Sequence, residues 1–521
     1  MVAPSCLTEP TINLLSTTVE RGNVIAIRNL PESLLFIDGA LVAATSGTKY
    51  ENVGPATGDV IGYAADASAQ DMDTAIASAR RAFDHSEWST NRDLRVKSLT
   101  QLLAGLNEKR DELRSAIKAE AGATQGSVLG PQCDRTLADA HHILPLLRGY
   151  NFAQEGTTET SDGAVRSLTV REPFGVVGAI TPWNVPLMMD LEKTLPALAA
   201  GCTVVLKAAP ETPWTASIIG EVARDTDIPK GVLNVITSGT SAALGTQLTT
   251  DPRVDLISFT GSTVTGRHVM ASASGTVKKV LLELGGKSPE ILLDDANFST
   301  ALVPAAYFVS FHAGQGCVIP TRVLVPRVRH DEAVEILRTT LESLQYGDPD
   351  DPRQLMGPLV SAKQRDRVLA YIHSGVQQGA RLVTGGSIPP HLQRGFYIQP
   401  TLFSHVDNGM RIAQEEIFGP VLSVISHDGD DDAVRIANDS PYGLFASVHS
   451  SSPTRAFAVG KRLRCGSVRI NGISPWSPAS PHGGYKQSGL GRERGLYGFE
   501  EHLEIKAMGL PAGIEARDWR S

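Results

Sequence analysis

Cys317 closes the run Gly314-Gln315-Gly316-Cys317, where small neighbours leave room around a thiol and let backbone amides approach it. A cysteine attacks as its thiolate, and a free thiol has a pKa near ~8.5, so a nucleophilic site must lower that value with a helix N-terminus or a cation. The alternative is a buried inert cysteine, which is the reading kept for Cys133, Cys202 and Cys465. Glu283 stands between apolar residues and two glycines in Leu281-Leu282-Glu283-Leu284-Gly285-Gly286. On a strand it would be partly desolvated, which raises a carboxyl pKa and suits a general base; a solvent-facing strand residue is the other possibility. Thr181-Pro182-Trp183-Asn184 ends the apolar run 175–180. A side-chain amide there could donate to a developing oxyanion, or the segment could be a simple turn.

Further along, Gly261-Ser262-Thr263-Val264-Thr265-Gly266 follows the apolar run 256–259 and could open a helix whose N-terminus faces a phosphate. It is neither a Walker A loop, since Arg267-His268 replaces Lys-Ser/Thr, nor a GxGxxG turn. Lys207 ends another apolar run, where it could reach phosphate or ribose hydroxyls, and Lys193 falls on the helix after Asn184. Glu416 and Phe418 are two apart on an extended segment, so they face the same way and could grip a ribose and a flat ring, or simply pack.

These residues need elements to hold them. Between about 174 and 259, strand-like runs (175–180, 203–206, 232–236, 256–259) alternate with helix-like ones (191–198, 215–224). Such alternation predicts a parallel sheet with crossover helices, and its strands read as continuous apolar runs because both faces are buried. A second alternation runs from about 286 to 470, with strands at 323–325, 421–425 and 467–470. Upstream, Leu34-Leu35-Phe36-Ile37 before Asp38-Gly39 predicts a hairpin. Ser68 to Asp71 fits a helix-capping pattern ahead of Met72, Ile76, Ala79 and Phe83. Leu99, Leu102, Leu103, Leu106, Leu113 and Ile117 predict one further helix. The first 30 residues are polar and irregular, as a loose arm would be.

Composition narrows the class. The chain has 521 residues, of which 41% are hydrophobic and 20% charged, so it is globular and long enough for several domains. With 48 Lys+Arg against 56 Asp+Glu, and no basic run longer than two, a nucleic-acid partner is not expected. No apolar stretch approaches ~18 residues and no signal segment is visible, so no membrane contact is expected. Five cysteines without a CxxC pair argue against a disulfide framework or any structural metal site, and for the reducing cytoplasm.

Taken in order, Pro182-Trp183-Asn184, Lys207, Phe259-Thr260-Gly261-Ser262-Thr263, Glu283-Leu284-Gly285-Gly286-Lys287-Ser288-Pro289, Gly314-Gln315-Gly316-Cys317, Glu416-Ile417-Phe418-Gly419-Pro420 and Pro481-His482-Gly483-Gly484-Tyr485-Lys486 resemble the aldehyde dehydrogenase superfamily over about residues 34–508. The last continues to Ser488-Gly489 and Gly491-Arg492-Glu493. The resemblance implies an α/β fold: a Rossmann-like NAD(P)-binding domain, an α/β catalytic domain and a small β bridging or oligomerisation element. It places them at 34–150 with 172–285, at 286–485, and at 151–171 with 486–521, the last including a C-terminal tail and the bridging strands falling near 155–171 and 501–508, after an arm at 1–33. It implies a homodimer or homotetramer, since the family pairs subunits through the bridging strands.

The resemblance also implies roles. Cys317 would attack an aldehyde, Asn184 and the Cys317 N–H would hold the oxyanion, and Glu283 would activate the water that hydrolyses the thioester. Lys193 matches a proton-relay lysine. Ile180, Thr181, Pro182, Trp183, Lys207, Glu211, Gly245, Phe259, Thr260, Gly261, Ser262, Gly266, Leu284, Gly285, Glu416 and Phe418 would bind the cofactor. The chain departs from the pattern in two places. In Lys207-Ala208-Ala209-Pro210-Glu211 the ribose-binding glutamate is displaced by one residue, which leaves NADP open beside NAD. His312 stands where an asparagine is common. A CoA-acylating semialdehyde dehydrogenase and a cofactor-independent cysteine esterase are the competing activities, the former disfavoured by Glu283. The expected substrate loops lie near Met188-Met189, Val318-Ile319 and 473–480, and Trp476 and Phe311 suggest apolar or aromatic aldehydes. Those loops hold no arginine, which disfavours a second carboxylate on the substrate, and Arg322 nearby reads as structural.

Overall fold

The computed structural model describes residues 30–239, 241–511 and 513–515. Its described residues form two large sheets, a three-stranded sheet and two two-stranded ribbons. In the first sheet five parallel strands run in the order Leu233–Ile236, Thr203–Lys207, Val176–Ile180, Leu256–Thr260 and Lys279–Glu283. The chain builds outward from Val176–Ile180, then returns to its other side at Leu256–Thr260. That reversal is a topological switch point, where open α/β sheets leave a crevice at the carboxyl ends of their strands. The register aligns those ends: Ile180 is opposite Lys207 and Phe259, and Thr260 is opposite Glu283.

Side-chain alternation explains why the strands are apolar throughout. Val177, Ala179, Val204 and Leu206 face one buried layer, whereas Val176, Ile180, Val205 and Ile257 face the other. Each such fully buried side chain contributes roughly 1.5–3 kcal/mol. The expected hairpin forms the antiparallel edge, with Leu35–Ile37 paired to Ala40–Val42 through Asp38 and Gly39, both at positive φ. The helix Ala69–His85 begins with the expected reciprocal cap between Ser68 and Asp71.

The second sheet has seven strands in the order Arg381–Thr384, Thr401–Ser404, Val421–His427, Arg322–Pro326, Pro289–Leu292, Phe445–His449 and Ser467–Ile470, parallel except at the first. Its faces are also both covered: Leu324 packs in one layer and Val323 and Val325 in the other. A third, antiparallel sheet joins Ala153–Thr160, Gly163–Pro173 and Leu503–Gly509. Among the described residues no helix is long and apolar enough to cross a membrane.

Three expectations need correction. The arm expected at 1–33 lies mostly outside the described residues, but residues 30–33 are not loose: Leu30 and Ser33 donate backbone hydrogen bonds to Ile61 and Tyr63. The single helix expected over 99–117 is two, Arg92–Glu108 and Arg110–Ala121, broken at Lys109, whose amine bonds both Glu112 and Glu221. The segment around 489–490 does not belong to the bridging element either, although the strand expected near 501–508 does. Gly489–Leu490 closes the first sheet beside Leu282 and Glu283, because glycine at φ +147 lets the backbone lie against Leu282, and only Leu503–Gly509 joins the small sheet.

Candidate active site

The chain crosses from the first sheet to the second through Leu284–Ser288, immediately after Glu283, and crosses back near Tyr485–Gly489. Ser488 stitches the two crossings together. Its carbonyl accepts from Leu284 N at 2.8 Å, its hydroxyl donates to the Gly285 carbonyl at 2.7 Å, and Gly443 N donates to that hydroxyl at 2.9 Å. Beside this junction lies a cavity of about 460 Å³. Cys317, Glu283 and Asn184 all line it, with Pro182, Trp183, Thr260, Gly261, Ser262, Leu284, Gly285, Glu416 and Phe418.

The loop that presents the thiol is wound tightly. His312, Ala313 and Gly314 have φ of 47°, 52° and 72°, so two non-glycine residues sit in the left-handed region. Each such residue costs about 1–3 kcal/mol and persists only when its surroundings hold it. Gln315 does the holding: its side chain donates to the His312 carbonyl at 2.9 Å and accepts from Val360 N at 2.9 Å. Gly314 has no space for a side chain, since a Cβ would lie 2.2 Å from the Gly419 backbone. Gly314→Ala should therefore lower stability by about 2–4 kcal/mol in denaturant titration, through strain at a special φ.

The Asn184 amide donates to the Gln315 carbonyl at 2.9 Å, and the Asn184 carbonyl accepts from Gln132 at 2.8 Å. One amide hydrogen is thus committed to the thiol's loop, and the second remains for a group in the cavity. Glu283 Oε1 is buried without a hydrogen bond, 3.3 Å from Nε2 of His482. Glu416 accepts from Gly286 N at 2.9 Å, and burial pushes its carboxyl up to about 7. Phe418, at φ 61°, sets its ring edge-on to Trp183 at 5.4 Å.

Burial, reinforced by the carboxylates of Glu283 and Glu416, pushes the Cys317 thiol well above its ordinary range. His312 supplies no compensating charge: burial drops its ring, whose nitrogens have no partner, to about 4, so it is neutral at pH 7. The thiol is therefore protonated in the protein alone. Alkylation of Cys317 by iodoacetamide should rise about tenfold per pH unit from pH 6 to 9 without levelling near 7, read as mass-labelled peptide against time. Cys133 and Cys202 are fully shielded from solvent, with thiols that burial holds at about 12, and should stay unlabelled.

Other expected residues lie off the cavity wall. Ile180, Thr181, Lys207 and Phe259 stand at the strand ends beside it. Burial lowers the Lys207 amine to about 8 against the opposing pull of Glu211, whose own carboxyl is raised by burial. The displaced Glu211 is thus within electrostatic reach of Lys207. Asn52 anchors its loop by donating to the Pro210 and Glu211 carbonyls at 3.2 and 2.9 Å. Ser262 caps the helix Thr263–Ala273, and Gly266 lets that helix approach Leu284, where a Cβ would sit 2.5 Å from the leucine. Gly245, on the helix Ser241–Thr250, faces open space. Lys193 does not reach the cavity: its buried amine is 2.6 Å from Glu493 and 3.2 Å from Ser258.

Glu493, His482 and Gln315 lie inside motifs the sequence displays, but their roles depend on contacts far along the chain. A lone lysine in the apolar helix Pro186–Ala200 is the one local signal that a buried acid must lie opposite. Arg469 and Arg367 also line the cavity, from elements outside the expected substrate loops. Arg469 is bound to Glu290 at 2.9 Å, which neutralises it. Arg322 is structural, its guanidinium bonding the carbonyls of Lys287, Ile436 and Ala437.

A thiol, a carboxylate and an amide gathered at the carboxyl ends of parallel strands define an enzyme suited to chemistry at a carbonyl carbon. The chain belongs to the aldehyde dehydrogenase family, whose profile matches residues 41–508, and is an oxidoreductase acting on aldehydes. It is 42% identical over 477 residues to 3-succinoylsemialdehyde-pyridine dehydrogenase of a Pseudomonas species, covering 91% of this chain and 97% of that one. It is 38% identical to betaine aldehyde dehydrogenase of Bacillus subtilis, covering 91% and 96%. Among solved structures, Mycobacterium tuberculosis aldehyde dehydrogenase complexed with NAD+ matches with a TM-score of 0.89 and 41% identity, over 93% of this chain and 99% of that one. Pseudomonas syringae aldehyde dehydrogenase C with NAD+ and octanal matches with a TM-score of 0.87 and 39% identity, over 94% and 99%.

Proposed function

We propose that this enzyme oxidises an aldehyde to a carboxylic acid through a Cys317 thiohemiacetal and thioester, with NAD as cofactor. The observation that carries the reading is the shared cavity of Cys317, Glu283 and Asn184. Residues 34–150 with 172–285 would bind the cofactor, 286–485 would carry the thiol, and the sheet of Ala153–Thr160, Gly163–Pro173 and Leu503–Gly509 would pair subunits into a dimer or tetramer.

The residues fit a dinucleotide. The crevice is at the switch point, the Thr260 hydroxyl is buried without a partner, and the Ser262 helix start adjoins it. Lys207 and Glu211 would hold the adenosine ribose, Gly261, Ser262, Gly245 and Gly266 would leave space for the pyrophosphate, and Glu416 would hold the nicotinamide ribose beside Phe418. Ile180, Thr181, Pro182, Trp183, Phe259, Thr260, Leu284 and Gly285 would wall the rest. A carboxylate near Lys207 supports NAD over NADP, because it repels a 2′-phosphate. When bound, NAD supplies the hydride acceptor for the oxidation.

The residues of the chain do the remaining work. The Cys317 thiol, which burial keeps protonated in the free protein, releases its proton to water as it attacks. The thiolate attacks the aldehyde carbon, and the uncommitted Asn184 N–H, with the Cys317 backbone N–H, stabilises the oxyanion. Glu283 then draws a proton from the water that hydrolyses the thioester. Lys193 serves by compensating Glu493. Phe308, Phe311, Phe445, Trp476 and Met188 on the cavity wall suit an apolar or aromatic aldehyde.

The test is nicotinamide reduction by purified protein with aliphatic and aromatic aldehydes, NAD or NADP, with and without CoA. Turnover with NAD and no CoA is expected. Strict CoA dependence would overturn the role of Glu283, and a preference for NADP would overturn that of Glu211.

A further inference from the structure

His482 touches the general base. Its Nε2 is 3.3 Å from Oε1 of Glu283, its ring packs on Trp476 at 4.8 Å, and its Nδ1 is buried without a partner. The ring is fixed in place, because His482 and Glu493 exchange two backbone hydrogen bonds of 2.8 and 2.7 Å. It lines the cavity and is itself buried. Packing alone explains neither a ring nitrogen 3.3 Å from a buried carboxylate nor a second nitrogen left unpaired, since each unpaired buried polar group costs about 1–3 kcal/mol.

We propose that His482 is the proton-relay and positioning residue of Glu283. The inference rests on the hydrolytic reading above. In hydrolysis the water O–H bond breaks as its oxygen bonds the thioester carbon, and the proton goes to Glu283. A buried carboxyl must lose that proton before the next turnover. The imidazole accepts it at Nε2, the nitrogen beside Glu283, and returns it from that nitrogen to water entering the cavity as the acid product leaves, with no electrons transferred. The charged groups that face it are Glu283 and Glu493, with Glu192 behind them, and Arg494, on the face of Trp476 and paired with Glu192, and Lys193, paired with Glu493.

The test uses the full chain as His482→Phe and His482→Asn, followed by stopped-flow nicotinamide reduction and by kcat against pH. The relay predicts that both variants keep the first, stoichiometric burst of reduction. Their steady turnover should fall on the order of tenfold, and the acid-side limb of kcat should shift or disappear. Asparagine keeps a polar side chain beside Glu283 but cannot pass a proton, so full turnover in His482→Asn would overturn the relay even if the phenylalanine variant failed to fold. Unchanged turnover and an unchanged acid limb in His482→Phe, or loss of the burst in both folded variants, would also overturn it. If the unaltered protein shows no burst or turnover with any aldehyde, the hydrolytic reading itself fails, which is a separate outcome.

Discussion

Replacing Cys317 by alanine should abolish aldehyde-dependent nicotinamide reduction, by at least about 10⁴-fold in kcat/KM, while cofactor binding persists. The expectation follows from the cavity wall. Among the described residues only Cys317 brings a thiol to it; the three other described cysteines lie elsewhere and their thiols are held high by burial. Neither Asn184 nor Glu283 can substitute as the group that bonds the aldehyde carbon and then leaves as a thiolate. Dye-free titration of cofactor binding checks that the variant is folded. Residual turnover within tenfold of the unaltered enzyme would mean that the oxidation proceeds without a covalent intermediate.

Replacing Glu283 by glutamine separates the two half-reactions. Acylation ends in a thioester that needs an activated water, and Glu283 is the carboxylate at the end of Lys279–Glu283 whose Oε1 is unbonded and turned inward. A positioned base contributes roughly 10²–10⁴-fold, so steady turnover should fall by that range. A thioester should accumulate, visible by mass spectrometry as an acyl adduct on the peptide that contains Cys317. Glutamine matches glutamate in size, and the carboxylate makes no hydrogen bond through Oε1, so the fold should tolerate the change. If the adduct never forms, Glu283 is needed earlier, to deprotonate Cys317. The high thiol makes that a real alternative, and the pH dependence of the burst separates the two.

How far the sequence alone reveals this site depends on the range of each interaction. The parallel strands were legible because burial on both faces forces apolar runs such as 203–206 and 256–259. Cys317, Glu283 and Asn184 were legible because each is framed by glycine or proline where backbone must pass close by. The break at Lys109 was hidden, since leucine spacing continues across it and the cause is a partner at Glu221. The use of Lys193 was hidden for the same reason, with Glu493 300 residues away. Seven-stranded order could not be read at all: Pro289–Leu292 and Phe445–His449 are neighbours in space but carry no mark of it in sequence.

The stitched junction at Ser488 has a mechanical consequence. Both covalent connections between the large sheets pass through one small region, and three hydrogen bonds through Ser488 tie that region together. If the two halves of the protein turn against each other, this region is the pivot. Displacement under rotation grows with distance from the axis, so Glu283, one residue from Leu284, travels least. Lys207, at the end of Thr203–Lys207, and Glu211 in the turn after it lie farther from that axis. Such a rotation would widen the mouth for large ligands while the base that must meet the thiol stays almost still.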